Sequence, residues 1–239
     1  MNQVINFYAT VVNCKNSERE CPNTFNMNRL NNEANSPALD SPPRGFYTEG
    51  NPENIQVMLV AKNPGHIINA EIGYYRGSSK DIVQKHIDWN RGLFTGNVIT
   101  KPGEKGNLVF HKNILNYMST ILDVDQGEVF KYCVLTNLVK CSTIGEQDKL
   151  KKNTIKNCFK CHFMREIEFF NPKVIIAFGR EVEKFLQSYQ SLHGKPVIYV
   201  KHPSYHYRKD EKDSKIVIIK SEVRKYLNIQ TTEIIKKSN

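Results

Sequence analysis

Four apolar runs of strand length punctuate the chain: "IQVMLVA" (55–61), "FKYCVLTNLV" (130–139), "KVIIAFG" (173–179) and "KPVIYV" (195–200). Between and after them lie patterns of helical length, over 107–122, 147–170, 180–191 and 211–227. Strand and helix alternate, which predicts an α/β fold: a mostly parallel four-stranded sheet with helices on both faces, a three-layer sandwich. In such sheets ligands bind beyond the carboxyl ends of the strands. Residues 23–54 are rich in Asn, Pro and Ser and predict an irregular surface segment, and 66–106, with "RGLFTGN" and "KPGEKG", a long excursion from the sheet edge. No internal repeat is present. The expected organisation is an N-terminal hook and irregular segment over 1–54, one α/β domain over 55–229 and a basic tail over 230–239.

Polar residues interrupt the apolar pattern at the predicted strand ends. Asn63 follows the first strand within Asn-Pro-Gly, which cannot continue a strand. Asn137 closes the core of "VLTNLVKCST", and His202 follows the fourth strand in "KHPSYHYR". Each taken singly has an ordinary explanation as a turn, a backbone cap or an exposed loop residue. Together they fall on one edge of the predicted sheet.

Composition narrows the class. A 239-residue chain with 39% hydrophobic residues suffices for one sizeable core. It has no run of eighteen apolar residues and its first residues lack the pattern of an export signal, so a cytoplasmic, non-membrane protein is expected; a monomer is the separate starting expectation. The surplus of 34 Lys and Arg over 24 Asp and Glu, net +10, favours a polyanionic partner such as nucleic acid. Six cysteines without an export signal point to thiols or metal ligands rather than disulfides.

"VMLVAKNPGH", "VLTNLVKCST", "NPKVIIAFGR" and "VKHPSYHYR" resemble, in order, the motifs of the uracil-DNA glycosylase superfamily, with a layout closest to its iron–sulfur members. The likeness spans about residues 55–227. The first motif differs from the iron–sulfur pattern Gly-Glu-Ala-Pro-Gly: Ala61-Lys62-Asn63-Pro64-Gly65 is similar to the Gly-Ile-Asn-Pro-Gly of the mismatch-specific branch. The resemblance implies an enzyme that hydrolyses the N-glycosidic bond of uracil, or of a related damaged or mismatched base, flipped out of DNA.

Such chemistry builds positive charge on the sugar and negative charge on the departing base. By the resemblance, Asn63 orients the attacking water and faces the sugar, and His202 donates a hydrogen bond to the uracil O2. The Asn137 amide offers an acceptor for N3–H and a donor for O4, the pattern that uracil presents and cytosine reverses. Phe94, with Phe110 as a rival, resembles the family's stacking partner of the flipped base, and ordinary core packing is the alternative reading for either ring. Gly65 stands where the most uracil-selective branch has a Tyr, which implies a less strict pocket. Lys62 replaces an acidic residue and is expected to meet a DNA phosphate or solvent rather than act as an amine nucleophile. Lys201, Ser204, Tyr205, His206 and Arg208 are expected to contact DNA, with His206 or Tyr207 as the wedge.

The resemblance also implies a 4Fe-4S cluster held by Cys14, Cys21, Cys141 and Cys158. Two alternatives stay open: a zinc site using Cys14, Cys21, Cys158 and Cys161, or free buried thiols with no metal. Cys133 is expected in the core. Two other functions also remain: a non-catalytic nucleic-acid-binding relative, motivated by Ala61 and Lys62, and a nucleotide-processing enzyme using the same edge of the sheet.

Overall fold

The structure is a computed structural model, which describes residues 1–16, 19–22, 24, 42–64, 71, 74–97, 109–143, 150–204 and 209–227, the side chains of 209–214 excepted. In chain order its main elements are α1 (Asn2–Val12), β1 (Phe46–Tyr47), β2 (Val57–Ala61), α2 (Ser79–Thr95), α3 (Val109–Leu122), α4 (Val129–Tyr132) and β3 (Cys133–Asn137). They are followed by α5 (Lys152–Cys158), a π-helical turn (Phe159–Phe163), α6 (Met164–Phe170), β4 (Val174–Phe178), α7 (Arg180–Ser188), α8 (Gln190–His193), β5 (Val197–Val200) and α9 (Lys209–Arg224).

The α/β expectation holds, with one strand more than predicted. The sheet has five strands in the order β1-β3-β2-β4-β5, and only β1 runs antiparallel. Every residue of β2, β3 and β4 is buried, because helices cover both faces, and the sequence therefore shows continuous apolar runs there instead of alternation. The added strand comes from the segment predicted to be irregular and superficial. Phe46 and Tyr47 pair with Thr136 and Leu135, both are buried, and the Phe46 ring stacks on Tyr8 of α1 at 3.6 Å. The N-terminal helix is thus a cover for the sheet.

The second departure is α2, which occupies much of the predicted excursion. Ser78 caps it through a capping box with Asp81, and Gly96 closes it in the left-handed conformation at φ 77°. Elsewhere the predicted elements are shorter than their sequence patterns. The long pattern over 147–170 becomes α5, the π turn and α6, ended by Asn171 at φ 44° ahead of Pro172. Among the described residues no helix is long and apolar enough to cross a membrane.

Candidate active site

Register puts the strand ends on one level. Ala61 of β2 is opposite Asn137 of β3, Val60 is opposite Ala177 of β4, and Phe178 is opposite Val200 of β5. Asn63 and His202 each lie two residues beyond that row. At roughly 4.8 Å per strand, Asn137 is one strand from Asn63, and His202 is two strands from Asn63 on the other side. All three thus share the carboxyl edge of the sheet, across about 14 Å of backbone.

Asn137 is 93% buried, with 7% of its surface exposed, and its surroundings show why the strand tolerates it. Lys140, fully buried, turns its ammonium back under the strand end. It donates to the Asn137 carbonyl at 2.7 Å, to Glu166 Oε2 at 2.5 Å and to the Thr136 hydroxyl. Thr136 in turn donates to Glu166 Oε1 at 2.8 Å. A buried charge is tolerable only when paired and hydrogen-bonded, so this network fixes the turn that carries Asn137.

The amide itself is held by a contact that needs a glycine. A Cβ on Gly45 would lie 2.1 Å from Asn137 Nδ2 and 3.0 Å from Pro64, and Gly45 has φ +89°. Asn137 and Pro64 therefore meet across Gly45. The backbone N–H groups of Gly45 and Phe46 donate to His86 Nε2 at 3.2 and 3.4 Å. Because Nε2 accepts, the proton of the neutral ring is on Nδ1, which lies 3.2 Å from the Tyr75 hydroxyl. Tyr75 donates to Glu71, and Glu71 forms a two-pronged ion pair with Arg44, which reaches Ser142. Burial, aided by the Arg44 charge, lowers the pKa of His86 to about 3. Sequence reasoning missed Gly45, His86 and this chain. The one local signal was a glycine directly before an aromatic pair in "RGFY".

His202 stands at the rim with part of its ring exposed. The Ser204 N–H donates to its Nδ1 at 3.3 Å, so Nε2 bears the proton of the neutral ring. The loop is fastened by Asn113 of α3, which donates to the Pro203 carbonyl at 2.6 Å. Desolvation lowers the pKa of His202 below the ordinary 6.5 and keeps it neutral at pH 7. Its aromatic neighbour is Phe110, at 5.4 Å between ring centroids. Of the two readings of Phe94, base-stacking ring or core residue, the structure has it packed in the core. Tyr47 stacks on it at 5.2 Å, with Phe130 and His111 at 4.4 and 4.8 Å, so its faces are occupied.

Lys62 pairs with Glu181 of α7 at 2.8 Å. Both line an open groove of about 540 Å³ between α5 and α7, together with Lys152, Lys156, Phe185 and Tyr189. Lys201 and Ser204 are half-buried beside His202. Gly65, Tyr205, His206, Tyr207 and Arg208 lie outside the described residues.

The profile of the uracil DNA glycosylase superfamily matches residues 47–222, most of the chain and all of the sheet except Phe46. The chain belongs to that superfamily. No individual curated protein matches it. The matched span includes the carboxyl edge along which Asn63, Asn137 and His202 lie.

The cysteines of this superfamily member converge on a different place. Cys14, Cys21, Cys141 and Cys158 line one closed hollow, with Asn16, Thr24, Pro43, Val139, Lys140 and His162. Cys161, the alternative zinc ligand, is exposed and absent from that lining, although Asn16 lies near both Cys161 and Cys21. Cys133 is buried in β3, where desolvation raises its pKa. Among the described residues no three His, Cys, Asp or Glu side chains are placed to hold a metal ion. The N-terminal segment is fastened to α5 by Asn157, which donates to the Glu20 carbonyl at 2.6 Å, and by Thr154, which donates to that of Pro22 at 3.2 Å.

Proposed function

We propose that the protein is a monofunctional DNA glycosylase that hydrolyses the bond between deoxyribose and uracil, or a related damaged or mismatched base, in a nucleotide flipped out of DNA. The observation that carries this reading is Asn137: a buried amide held at a strand end by an ion-pair network beneath it and a glycine against it. A side chain so constrained suits the reading of a base edge, because its donor and acceptor cannot exchange places freely.

In the proposed reaction the C1′–N1 bond breaks, the electron pair leaves with the base, and a water oriented by the Asn63 amide oxygen attacks C1′. The water's second proton passes to the departing base or solvent. His202, neutral and with its proton on Nε2, donates to the pyrimidine O2 as negative charge gathers there. Phe110, beside His202, replaces Phe94 as the candidate aromatic wall. Lys62 meets Glu181 in an exposed ion pair that a DNA phosphate can displace, and the proposed reaction is hydrolysis by water without a lyase step. Lys62 and Lys201 are proposed phosphate contacts, and DNA the macromolecular partner.

We also propose that Cys14, Cys21, Cys141 and Cys158 hold a 4Fe-4S cluster. Four thiols around one hollow fit the donor set, and each thiolate of a cluster binds a different iron, so the ligands stand farther apart than on one zinc ion. When bound, the cluster supplies an electron-transfer centre and a cross-link between the N-terminal segment and α5. The hydrolysis does not run through it.

An oligonucleotide assay tests the function. Uracil-containing DNA should yield an alkali-labile abasic product, and His202→Ala should slow its formation by about 100- to 1,000-fold. Borohydride should trap no covalent protein–DNA adduct. Salt-sensitive binding without product would identify a non-catalytic binder, and activity on free nucleotides alone a nucleotide-processing enzyme.

A further inference from the structure

His162 is 6% exposed, and among the described residues neither of its ring nitrogens meets a hydrogen-bond partner. Buried imidazole nitrogens are nearly always partnered, and an orphaned pair calls for an explanation. The ring lines the same hollow as Cys14, Cys21, Cys141 and Cys158. It is carried by the π-helical turn Phe159–Phe163, directly after Cys158. Such wide turns interrupt regular helices frequently at functional positions. An unpartnered donor, a hollow bordered by four thiols and a local departure from helical geometry therefore coincide.

We infer that His162 donates a hydrogen bond to a sulfur of the iron–sulfur cluster and so sets its reduction potential. The inference rests on the cluster reading above. Four cysteines already provide one ligand for each iron, so a fifth donor has no iron to bind without displacing a thiolate. A neutral imidazole always carries one N–H, and the sulfide or thiolate sulfurs inside the hollow are the acceptors it lacks among the described residues. A hydrogen bond to sulfur stabilises the reduced, more negative cluster. His162 is thus a positioning and tuning residue with no part in base excision.

The test uses the full-length protein as purified anaerobically. Iron and sulfide content with visible absorption establish whether a cluster is present, and a dye-mediated redox titration followed by electron paramagnetic resonance gives its midpoint. In His162→Phe the ratio of reduced to oxidised cluster at the wild-type midpoint should fall about tenfold, a downward shift of about 59 mV for one electron. His162→Gln keeps an N–H donor and should fall between wild type and Phe. Independently of any variant, wild-type protein labelled with ¹⁵N-histidine should show one weak coupling from a histidine nitrogen to the reduced cluster. An intact cluster with an unmoved midpoint in His162→Phe, or no histidine coupling in the wild type, overturns the inference and leaves the cluster standing. A strong coupling typical of direct ligation also overturns it. Wild-type protein without iron and sulfide overturns the cluster and this inference together.

Discussion

A methyl group on Gly45 would meet the Asn137 amide nitrogen at 2.1 Å, well inside contact distance. Gly45→Ala must therefore displace the amide, and its backbone at φ +89° adds strain of about 1–3 kcal/mol. The expected result is a loss of about 100-fold in uracil excision, since a displacement of about 1 Å costs that much in rate, beside only a modest drop in stability. Kinetics and urea denaturation on the same preparation separate the two effects. Lys140→Met acts in the opposite proportion. It strands the Glu166 carboxylate in a fully buried position and should cost about 3–5 kcal/mol, and adding Glu166→Leu should restore most of it. Wild-type stability in Lys140→Met would mean that the pair does not hold the β3 end. The place of Asn63, Asn137 and His202 on the sheet edge was legible because each breaks an apolar pattern at a strand end. Gly45, His86 and Glu166 were not, because their partners lie tens of residues away and nothing local marks them.

At the scale of elements, the parallel strands were legible for a physical reason: burial on both faces demands unbroken apolar runs of strand length. β1 escaped notice because two residues carry no period, and its pairing depends on the β3 backbone and on Tyr8 behind Phe46. The helix α2 was missed for a different reason. Its stripe of Ile82, Val83, His86, Ile87 and Phe94 is diluted by Lys, Gln, Asp and Asn, and glycines flank it. The signal that marks its start is "SSKD", in which the Ser78 hydroxyl accepts from the Asp81 N–H while the Asp81 carboxylate accepts from the Ser78 N–H. Ser78→Ala should cost about 1 kcal/mol. Because the cap lies two turns from His86, excision well below the melting temperature should stay unchanged. Parallel loss of activity and stability in that variant would show that α2 transmits end fraying to the Gly45 contact.

Across the whole molecule, buried imidazoles make stability depend on pH in a definite direction. Burial lowers the pKa of His86 to about 3 and of His111 to about 4, against about 6.5 in an unfolded chain. Between those limits the unfolded state binds protons that the folded state refuses. Stability is therefore complete above about pH 6.5 and is lost as pH falls toward the folded values, by about 1 kcal/mol per pH unit for each imidazole. The carboxylate of Asp81, whose pKa is lowered by the Ser78 hydrogen bonds, contributes with the same sign, but only near and below its ordinary 3.8. Urea denaturation between pH 6.5 and 4.5 thus isolates the histidines. His111→Phe removes one of them and also a ring nitrogen without a hydrogen-bond partner among the described residues, in a site already walled by Phe94 and Phe110. In that variant the slope of stability against pH should flatten by about one imidazole's share, about 1 kcal/mol per unit, with no loss at pH 7 beyond the cost of fitting the larger ring. An unchanged slope would place His111 in contact with water and remove it from the account of acid sensitivity, leaving His86 and the Gly45 contact it supports as the point where acid first loosens the site.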